Sequence, residues 1–420
     1  MFKQSKKIIF LTLILVFFFS IYTRAETQIE FWTINLSPQY DQYFQDKIAE
    51  FEAENPDLKI KWEDISFSSI QQQLRQKISE GNPPQVVNLS PQLMSALVYE
   101  DLLYPVSNFE KNYKSEYFVN LWESNNYDGK IYAFPWYVSS RIMAYNKEIF
   151  KIAGLDPDDF PKSQKEFFET AHRIKAESGV YAFMPQLQIH EEFIKAGLNI
   201  FELNNDKPQV AFNNDQAVEI VAEYQKLARE SVIPADSLNS SFNIALDRYL
   251  KNELAVLITA PQFLKEIEAE SDYLKDMTAL AVPPAGEGEL INASLMNLVI
   301  PKAAENKSEA ADFAAFITGA EAQQEFAKIT GLLPSAKGAV NVDFFADTDQ
   351  LENEDISLND QARYLMAKEL ENMADMTLII ENSSALTRAM NEQFARAFSD
   401  KITAQEAVDF MEQRFLEILD

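Results

Sequence analysis

The chain has 420 residues, of which 47% are hydrophobic, so it is long enough for a large core and too long for one ordinary domain. It contains no Cys, 2 His and 10 Gly, with no GxGxxG or GxxxxGK[ST] segment, which argues against thiolate nucleophiles, Cys/His zinc sites and the common phosphate-binding loops. The formal net charge of −28 disfavours nucleic acid and anionic membrane surfaces as partners. We therefore expect no cofactor and no metal site.

The N-terminus is typical of a secretory signal peptide. Lys3, Lys6 and Lys7 precede an apolar run over 8–19, and small residues follow at Thr23 and Ala25. The run is shorter than the ~20 residues that a membrane-spanning helix needs, although an uncleaved membrane anchor is the alternative. No Cys stands at the predicted cleavage site, so we expect no lipid anchor there. We predict cleavage near Ala25 and a periplasmic location.

Strands and helices alternate over the first part of the chain. Thr27–Ile34 alternates apolar and polar residues as a strand does, and Phe44, Ile48 and Phe51 recur at helical spacing. Ser37-Pro38 supplies an N-cap and a first helical residue for that helix. The next predicted elements are a strand over Leu58–Ile65, a helix over 69–80 and a strand over 85–89. This alternation predicts a parallel or mixed α/β sheet.

A second α/β unit follows without a flexible linker. A strand is predicted over 138–145, directly after Pro135-Trp136-Tyr137. Ser163 and Glu166 form a capping box that opens a helix, and Thr403 and Glu406 form another near the end of the chain. The other predicted elements are strands over 254–258, 278–282 and 295–300, and helices over 306–318 and 320–330. We expect two α/β lobes connected by more than one short crossing.

Several segments occur in a distinctive order along the chain. They are IEFW at 29–32, FEAENP at 51–56, GNPPQVVNLS at 81–90, the run over 135–150, AGLD at 153–156, NELAVLIT at 252–259, GLLPS at 331–335 and TAQEA at 403–407. In this order they resemble the extracellular solute-binding proteins of bacterial sugar-type ABC importers, a family that includes maltose-binding and glycerol-phosphate-binding proteins. The resemblance covers essentially the whole chain after the predicted signal peptide.

The resemblance implies an α/β protein with the type II periplasmic-binding-protein fold. Two lobes, joined by a hinge that crosses between them three times, would close over a solute in the cleft. We expect the crossings near 137–140, 282–285 and 333–337. Lobe one would then comprise 26–138 and 285–334, and lobe two 139–284 and 335–420. The resemblance also implies delivery of the solute to the membrane subunits of an ABC permease, and we expect a monomer.

The chain departs from the family at two places near the expected cleft. The Gly-Pro-Trp turn of many sugar binders is here Ala260-Pro261-Gln262, so a stacking Trp is missing. A Gly-Gly pair that usually precedes the strand near 295 is replaced by Asn292-Ala293-Ser294. Both changes leave the identity of the solute open.

Four candidate site residues stand at strand ends of lobe one. A sugar or polyol needs aromatic faces for its C–H patches and planar polar side chains for its hydroxyls. Trp32 and Asn35 supply one of each, and the alternative for Trp32 is a place in the core. Ser90 and Gln92 stand at a strand-to-helix turn, where backbone N–H groups are free, and the alternative for Ser90 is a helix cap.

Four more candidates surround the first expected crossing. Trp136 and Tyr137 form an aromatic pair beside the hinge, and the strand continues through Ser139 and Arg141. Arg141 is able to bind a pair of hydroxyls or an acidic group, and the alternative is a structural ion pair between the lobes.

The remaining candidates are assigned by their order relative to the family. They are Phe183 and Gln186 after a strand of lobe two, Gln262 in place of the missing Trp, Asn292 and Ser294 opposite it, and Glu381 before a C-terminal helix. We expect His190 to be a surface residue rather than a ligand contact.

The expected function is the binding of a carbohydrate, polyol or related small solute for an ABC importer, without catalysis. The net charge steers anions away and favours a neutral solute. The alternative is a secreted carbohydrate-active hydrolase with two carboxylates flanking its cleft. With 65 acidic residues any such pair is easy to find, and no HExxH, GxSxG or Ser/His/Asp arrangement stands out. A structural or adhesion protein is disfavoured because the chain has no internal repeats.

Overall fold

Strands and helices alternate along the residues that this computed structural model describes, which are 26–204, 207–286, 290–340, 343–346 and 356–419. The predicted signal peptide lies outside them. The strands are β1 (Thr27–Ile34), β2 (Leu58–Ile65), β3 (Val86–Leu89), β4 (Asn126–Tyr127), β5 (Lys130–Ile131), β6 (Ala133–Ser140), β7 (Ile142–Asn146), β8 (Tyr181–Phe183), β9 (Phe201–Asn204), β10 (Lys207–Val210), β11 (Leu254–Thr259), β12 (Thr278–Ala281), β13 (Ile291–Val299), β14 (Leu333–Pro334) and β15 (Met373–Ala374).

The α-helices connect and cover these strands. They are α1 (Asp41–Glu54), α2 (Ile70–Ser79), α3 (Pro91–Tyr99), α4 (Val119–Glu123), α5 (Lys147–Ile152), α6 (Gln164–Ser178), α7 (Ile189–Lys195), α8 (Asp215–Arg229), α9 (Phe242–Leu250), α10 (Leu264–Glu270), α11 (Asp272–Met277), α12 (Lys307–Ile317), α13 (Ala320–Thr330), α14 (Asp343–Ala346), α15 (Leu358–Ala367), α16 (Ser383–Phe398) and α17 (Ala404–Leu419). Among the described residues, no helix is both long enough and apolar enough to cross a membrane.

A seven-stranded mixed sheet organises the first lobe. Its strands lie in the order β14, β6, β13, β3, β1, β2, and β15 pairs with the start of β13. β1 runs parallel to β2 and β3, whereas β13 is antiparallel to β3 and β6. Because β1, β2 and β3 are parallel, the segments that follow them start at one edge of the sheet, which is where ligands bind in α/β folds.

A four-stranded sheet organises the second lobe, in the order β12, β7, β11, β8. β7 is antiparallel to β11 and β12, and β11 is parallel to β8. Residues of α6, α8, α16 and α17 form one buried apolar cluster on this sheet, with Phe167, Val221, Met390 and Met411 among its members. The C-terminal helices therefore complete the core of the second lobe.

The chain passes between the two sheets at defined points. Arg141 stands alone between β6 of the larger sheet and β7 of the smaller one, and the chain returns between β12 and β13. The segment 335–420, which was predicted to belong to lobe two, includes β15 of the larger sheet. The lobe boundaries stay a prediction. The connections between β6 and β7 and between β12 and β13 place Arg141 and the start of β13 where the two sheets are joined.

Local patterns predicted most of these elements. Both capping boxes are confirmed: the Ser163 hydroxyl accepts from the Glu166 N–H at 3.2 Å, and the Thr403 hydroxyl accepts from the Glu406 N–H at 3.2 Å. The predicted N-cap at Ser37 is wrong. The chain first makes a turn, in which the Tyr40 N–H donates to the Leu36 carbonyl at 3.0 Å, and α1 begins only at Asp41.

The segment around the first crossing also differs from its prediction. The strand expected over 138–145 starts earlier, at Ala133, and includes Trp136. It ends at Ser140, so that β7 is a separate strand in the other sheet. β6 pairs with β13, whereas β7 pairs with β11 and β12, so the chain changes from one sheet to the other at Arg141.

Candidate functional site

Three cavities lie beside the strands and helices through which the two lobes are connected or in contact. Cavity A, beside Arg141 and the start of β13, has a volume of about 80 Å³. Cavity B, beside Ser139 and between the end of β6 and α10, has a volume of about 440 Å³. Cavity C, between α3 of the first lobe and α16 of the second, has a volume of about 50 Å³. Cavity B is in the range of cavities that bind small organic ligands, and cavities A and C are narrower in this structure.

Cavity A combines aromatic rings with planar polar groups. Its aromatic lining consists of Phe167, Phe168, Phe183 and Tyr224, and its polar lining includes Arg141, Gln164, Gln186, Glu191, Glu192, Lys195 and Asn292. Rings of this kind pack against C–H surfaces, and the polar groups hydrogen-bond to hydroxyls or amides. The structure thus brings together four residues predicted from the sequence: Arg141, Phe183, Gln186 and Asn292.

A buried carboxylate fixes one wall of cavity A. Glu192 is 2% exposed, and its Oε2 accepts a hydrogen bond from the Tyr224 hydroxyl at 2.9 Å. The Gln164 amide donates to the same oxygen, and the Lys195 ammonium pairs with Oε1. Burial, followed by the charge of Glu192, raises the pKa of Tyr224 well above its ordinary value, so the phenol stays protonated as a donor. These two hydrogen bonds and the ion pair hold Glu192 in place in the lining of cavity A, and both of its carboxylate oxygens have partners.

Arg141 and Glu191 lie on the same cavity with different surroundings. The exposed Arg141 guanidinium donates to the Gln186 carbonyl, which holds the side chain against the segment after β8. Burial raises the pKa of Glu191, and the positive charge of Arg141 opposes this shift. Glu191 was not among the residues predicted from the sequence.

Cavity B joins two other predicted residues. Ser139 lies on the first-lobe side, and Gln262 lies just after β11 of the second lobe, where the missing Trp was expected. Tyr40 contributes an aromatic face, and burial raises the pKa of its hydroxyl. Ser294 is exposed and directly opposite Ser139 in the β6–β13 pair, so their side chains share one face of the sheet.

Cavity C is polar and spans the lobes. The Gln92 amide of α3 donates to the Ser384 hydroxyl of α16 at 3.3 Å, so this predicted residue lies at a contact between the lobes. His190 and Glu191 form part of the same lining. The expectation that His190 is a surface residue is wrong: the side chain is 2% exposed, because α7 packs its first turn beneath the segment that leads into α16.

Three predicted aromatic residues pack in the first lobe instead of lining these cavities. Trp32 is 1% exposed, and its indole N–H donates to the Glu30 carboxylate at 2.7 Å. Trp136 is 0% exposed and stacks on Phe326, with ring centroids 5.5 Å apart. Tyr137 packs on the same ring at 5.4 Å. Neither tryptophan presents an open face to a solute in this structure.

The remaining predicted residues lie outside the three cavities. Ser90 is the N-cap of α3, where its hydroxyl accepts from the Leu93 N–H at 3.4 Å, which is the capping alternative considered above. Asn35 and Glu381 are exposed. In the described part of the chain, no group of three or more His, Asp or Glu side chains is placed to hold a metal ion.

Some lining residues of cavity A that were not predicted belong to recognisable sequence patterns, and others do not. Tyr224 belongs to the apolar stripe of α8, and Gln164 follows the capping residue of α6, so both were visible as parts of helices. Nothing distinguishes Glu191 and Glu192 among 65 acidic residues, because their environment is created by distant segments.

Comparisons with known proteins agree on one family and one fold. Residues 36–324 match the family described as bacterial extracellular solute-binding protein. The sn-glycerol-3-phosphate-binding periplasmic protein UgpB of Escherichia coli (strain K12) is 23% identical over 345 residues, 76% of either chain. The galactooligosaccharide-binding protein of Bacillus subtilis (strain 168) is 22% identical over 307 residues, 71% of this chain and 70% of that one.

A solved structure extends the likeness to the fold. The sugar-binding protein MalE of Xanthomonas citri superposes with a TM-score of 0.77 at 20% identity, covering 94% of this chain and 97% of that chain. This confirms the predicted fold, two α/β lobes joined by a hinge with a cleft between them. The family match spans more than half of the sequence, and the chain belongs to the bacterial extracellular solute-binding proteins.

Proposed function

We propose that the protein is the periplasmic solute-binding component of an ABC importer and takes a carbohydrate, polyol or related small solute between its lobes. The observation that carries the proposal is the lining of cavity A, where aromatic rings lie beside planar polar groups at the point where the chain crosses between the sheets. Relatives named for galactooligosaccharide and for sn-glycerol-3-phosphate support this solute class.

The proposed contacts are those predicted residues that line a cavity or adjoin one. They are Gln92, Ser139, Arg141, Phe183, Gln186, Gln262, Asn292 and Ser294. Their side chains supply amide, hydroxyl and guanidinium groups for the hydroxyls of a solute and one aromatic ring for its C–H surface. They come from both lobes, as closure over a bound solute requires.

The proposal describes a binding protein without catalysis. A glycosidase needs two carboxylates that act on one bond, one as the acid and the other as base or nucleophile. In cavity A the carboxylate of Glu192 is committed to Tyr224, Gln164 and Lys195. The family is one of binding proteins, which supports the same conclusion.

The partners follow from this function. The loaded protein would act as a monomer and present both lobes to the membrane subunits of an ABC permease, which receive the solute. Opening of the lobes at the membrane would release the solute, because the contacts from the two lobes are then separated.

A thermal-shift panel tests the proposal. The protein is heated with neutral monosaccharides, oligosaccharides, polyols, sugar phosphates and sugar acids, each in large excess. A solute at a hundredfold excess over its Kd stabilises the folded protein by about 2.7 kcal/mol, which raises Tm measurably. Chromatography of the solute after incubation serves as the control for turnover. A panel without any shift in Tm, or a solute that is hydrolysed, would contradict the proposal.

A further inference from the structure

Glu191 lies where two of the cavities adjoin. It lines cavity A together with Arg141 and Gln186, and it also lines cavity C together with His190 and Gln92. The Glu191 side chain therefore faces both cavity A, which is aromatic and lies in the second lobe, and cavity C, which is polar and lies between the lobes. A solute that extends from one cavity to the other would pass its carboxylate.

The carboxylate of Glu191 has spare capacity to accept hydrogen bonds. The backbone N–H of Gln188 donates to it, and within the part of the chain that the structure describes no side-chain hydrogen bond or ion pair to it is found, in contrast to the neighbouring Glu192. Arg141 is close enough to attract it electrostatically, but its guanidinium donates to the Gln186 carbonyl. A carboxylate accepts several hydrogen bonds and burial of its charge is costly, so further donors from a solute would stabilise it.

His190 presents a second acceptor beside Glu191. The ring is hydrogen-bonded to the backbone of Met376, and its Nδ1 is buried with no hydrogen-bond partner among the described residues. Burial lowers the pKa of His190 to about 4, so the ring is neutral near pH 7. A neutral imidazole that donates through one nitrogen accepts through the other, so Nδ1 also requires a donor.

The cations in this lining differ in their partners. Lys195 pairs with Glu192, whereas Arg141 donates to the neutral Gln186 carbonyl and keeps its positive charge. A phosphate or carboxylate on the solute that approached Glu191 would be attracted by Arg141 and repelled by the Glu191 carboxylate. Hydroxyl groups, by contrast, donate to a carboxylate without adding negative charge.

We propose that Glu191 is a solute-binding and specificity-determining residue, which accepts hydrogen bonds from donor groups of a sugar that carries no negative charge. The inference rests on the proposed function and narrows its solute class. The donors are hydroxyls of a neutral sugar or the ammonium of an amino sugar, which share the chemistry of donating to an anion. Sugar phosphates and uronic acids are disfavoured by the same residue.

Calorimetric titration of three proteins tests this inference. They are the wild type, Glu191→Gln and a matched control, Glu219→Gln, which removes the same charge from an exposed position on α8. The titrants are the best neutral sugar of the thermal panel, its amino-sugar analogue and its uronic acid. We expect Glu191→Gln to weaken binding of the preferred sugar at least about tenfold, as expected for a hydrogen bond to a charged group. The control should leave the Kd unchanged.

The same titrations separate the two sources of donors. A neutral-sugar site loses similar affinity for the sugar and its amine, whereas an amino-sugar site loses more for the amine. In either case the ratio of affinities for the preferred sugar and for the uronic acid should fall at least about tenfold in Glu191→Gln. Without solute, the variant should melt at or above the wild-type Tm, because a carboxylate whose charged form is destabilised by burial has been removed.

The outcomes that overturn the inference differ from those that overturn the function. A wild type that binds no sugar contradicts the proposed function. A wild type that binds a neutral sugar, with Glu191→Gln unchanged in Kd and in preference over the uronic acid, contradicts only the role of Glu191. A wild type that prefers the uronic acid contradicts that role as well.

Discussion

The residue type of Trp136 suggests a solute contact, whereas its surroundings in the structure show a core residue. An aromatic side chain beside a hinge suggests a solute contact, but the ring lies among Phe31, Phe44 and Phe326, with centroids 5.5 to 6.2 Å away. β6 lies between β14 and β13 and is buried along most of its length, so alternation does not reveal an outward face. At this scale the residue type predicts burial or binding equally well.

Replacement of Trp136 by Ala should therefore act on stability. We expect the free energy of unfolding to fall by about 3–5 kcal/mol, because the change leaves a large cavity in the core of the first lobe. Phe67→Ala, at a half-exposed ring just after β2, is the control and should change it by no more than about 0.5 kcal/mol. Urea denaturation followed by circular dichroism measures both. Equal midpoints for the two variants would show that the Trp136 ring is not packed as described.

Trp136→Phe refines this test. The indole N–H of Trp136 has no hydrogen-bond partner among the described residues, so a smaller apolar ring removes a buried donor while keeping much of the packing. We expect this variant to lose clearly less stability than the Ala variant.

At the scale of elements, the sequence predicted what depends on neighbours in the chain. The bounds of β1 and β2 follow from local alternation, and the start of α6 follows from the capping pair Ser163 and Glu166. The start of α1 did not, because Asp64 on β2 accepts from the Leu36 N–H at 3.0 Å and from the Thr33 hydroxyl at 2.6 Å. These contacts hold the turn before α1 and join residues far apart in the sequence.

The candidate site shows the same division. Arg141 was predicted because it lies beside the first expected crossing, and Gln186 and Asn292 were predicted because of their order relative to the family. Glu191 was not, since its significance comes from its burial and from the cavities on either side of it. Such properties exist only after distant elements have packed together.

The turn after β15 carries a buried carboxyl whose titration depends on packing. Asp375 accepts from the Leu295 N–H at 3.0 Å and from the Thr377 N–H at 2.9 Å, and burial raises its pKa above the ordinary value. The folded state therefore holds the proton more tightly than the unfolded state does. The resulting contribution to stability is complete below the ordinary pKa and is lost as pH rises through the folded-state pKa.

Asp375→Asn isolates this contribution. The amide does not ionise, so the stability of the variant relative to the wild type should improve as pH rises from about 4 to about 7. Urea denaturation of both proteins across this range gives the difference, and the other carboxyl groups cancel because both proteins share them. A difference that stays constant with pH would contradict a raised pKa for Asp375.

At the scale of the whole molecule, the two lobes share part of their core. One buried cluster contains Val138 of β6 and Leu295 of β13 from the larger sheet, together with Ile142 of β7 and Leu257 of β11 from the smaller one. A second cluster, which includes Met411, belongs to the second lobe. Because the shared cluster is lost when either sheet comes apart, unfolding of one lobe removes apolar contacts from the other.

This arrangement predicts that the lobes unfold together. Scanning calorimetry of the solute-free protein should show one transition, with a calorimetric enthalpy equal to the van't Hoff enthalpy. Leu295→Ala, in the shared cluster, and Met411→Ala, in the second lobe, should each lower the Tm of that single transition, since each costs about 2–5 kcal/mol. If the lobes were independent, Met411→Ala would move only one of two resolved peaks and leave the other in place. The connection through residues 138–142 and 291–295 is then what makes two lobes one cooperative unit, because it adds buried surface to both.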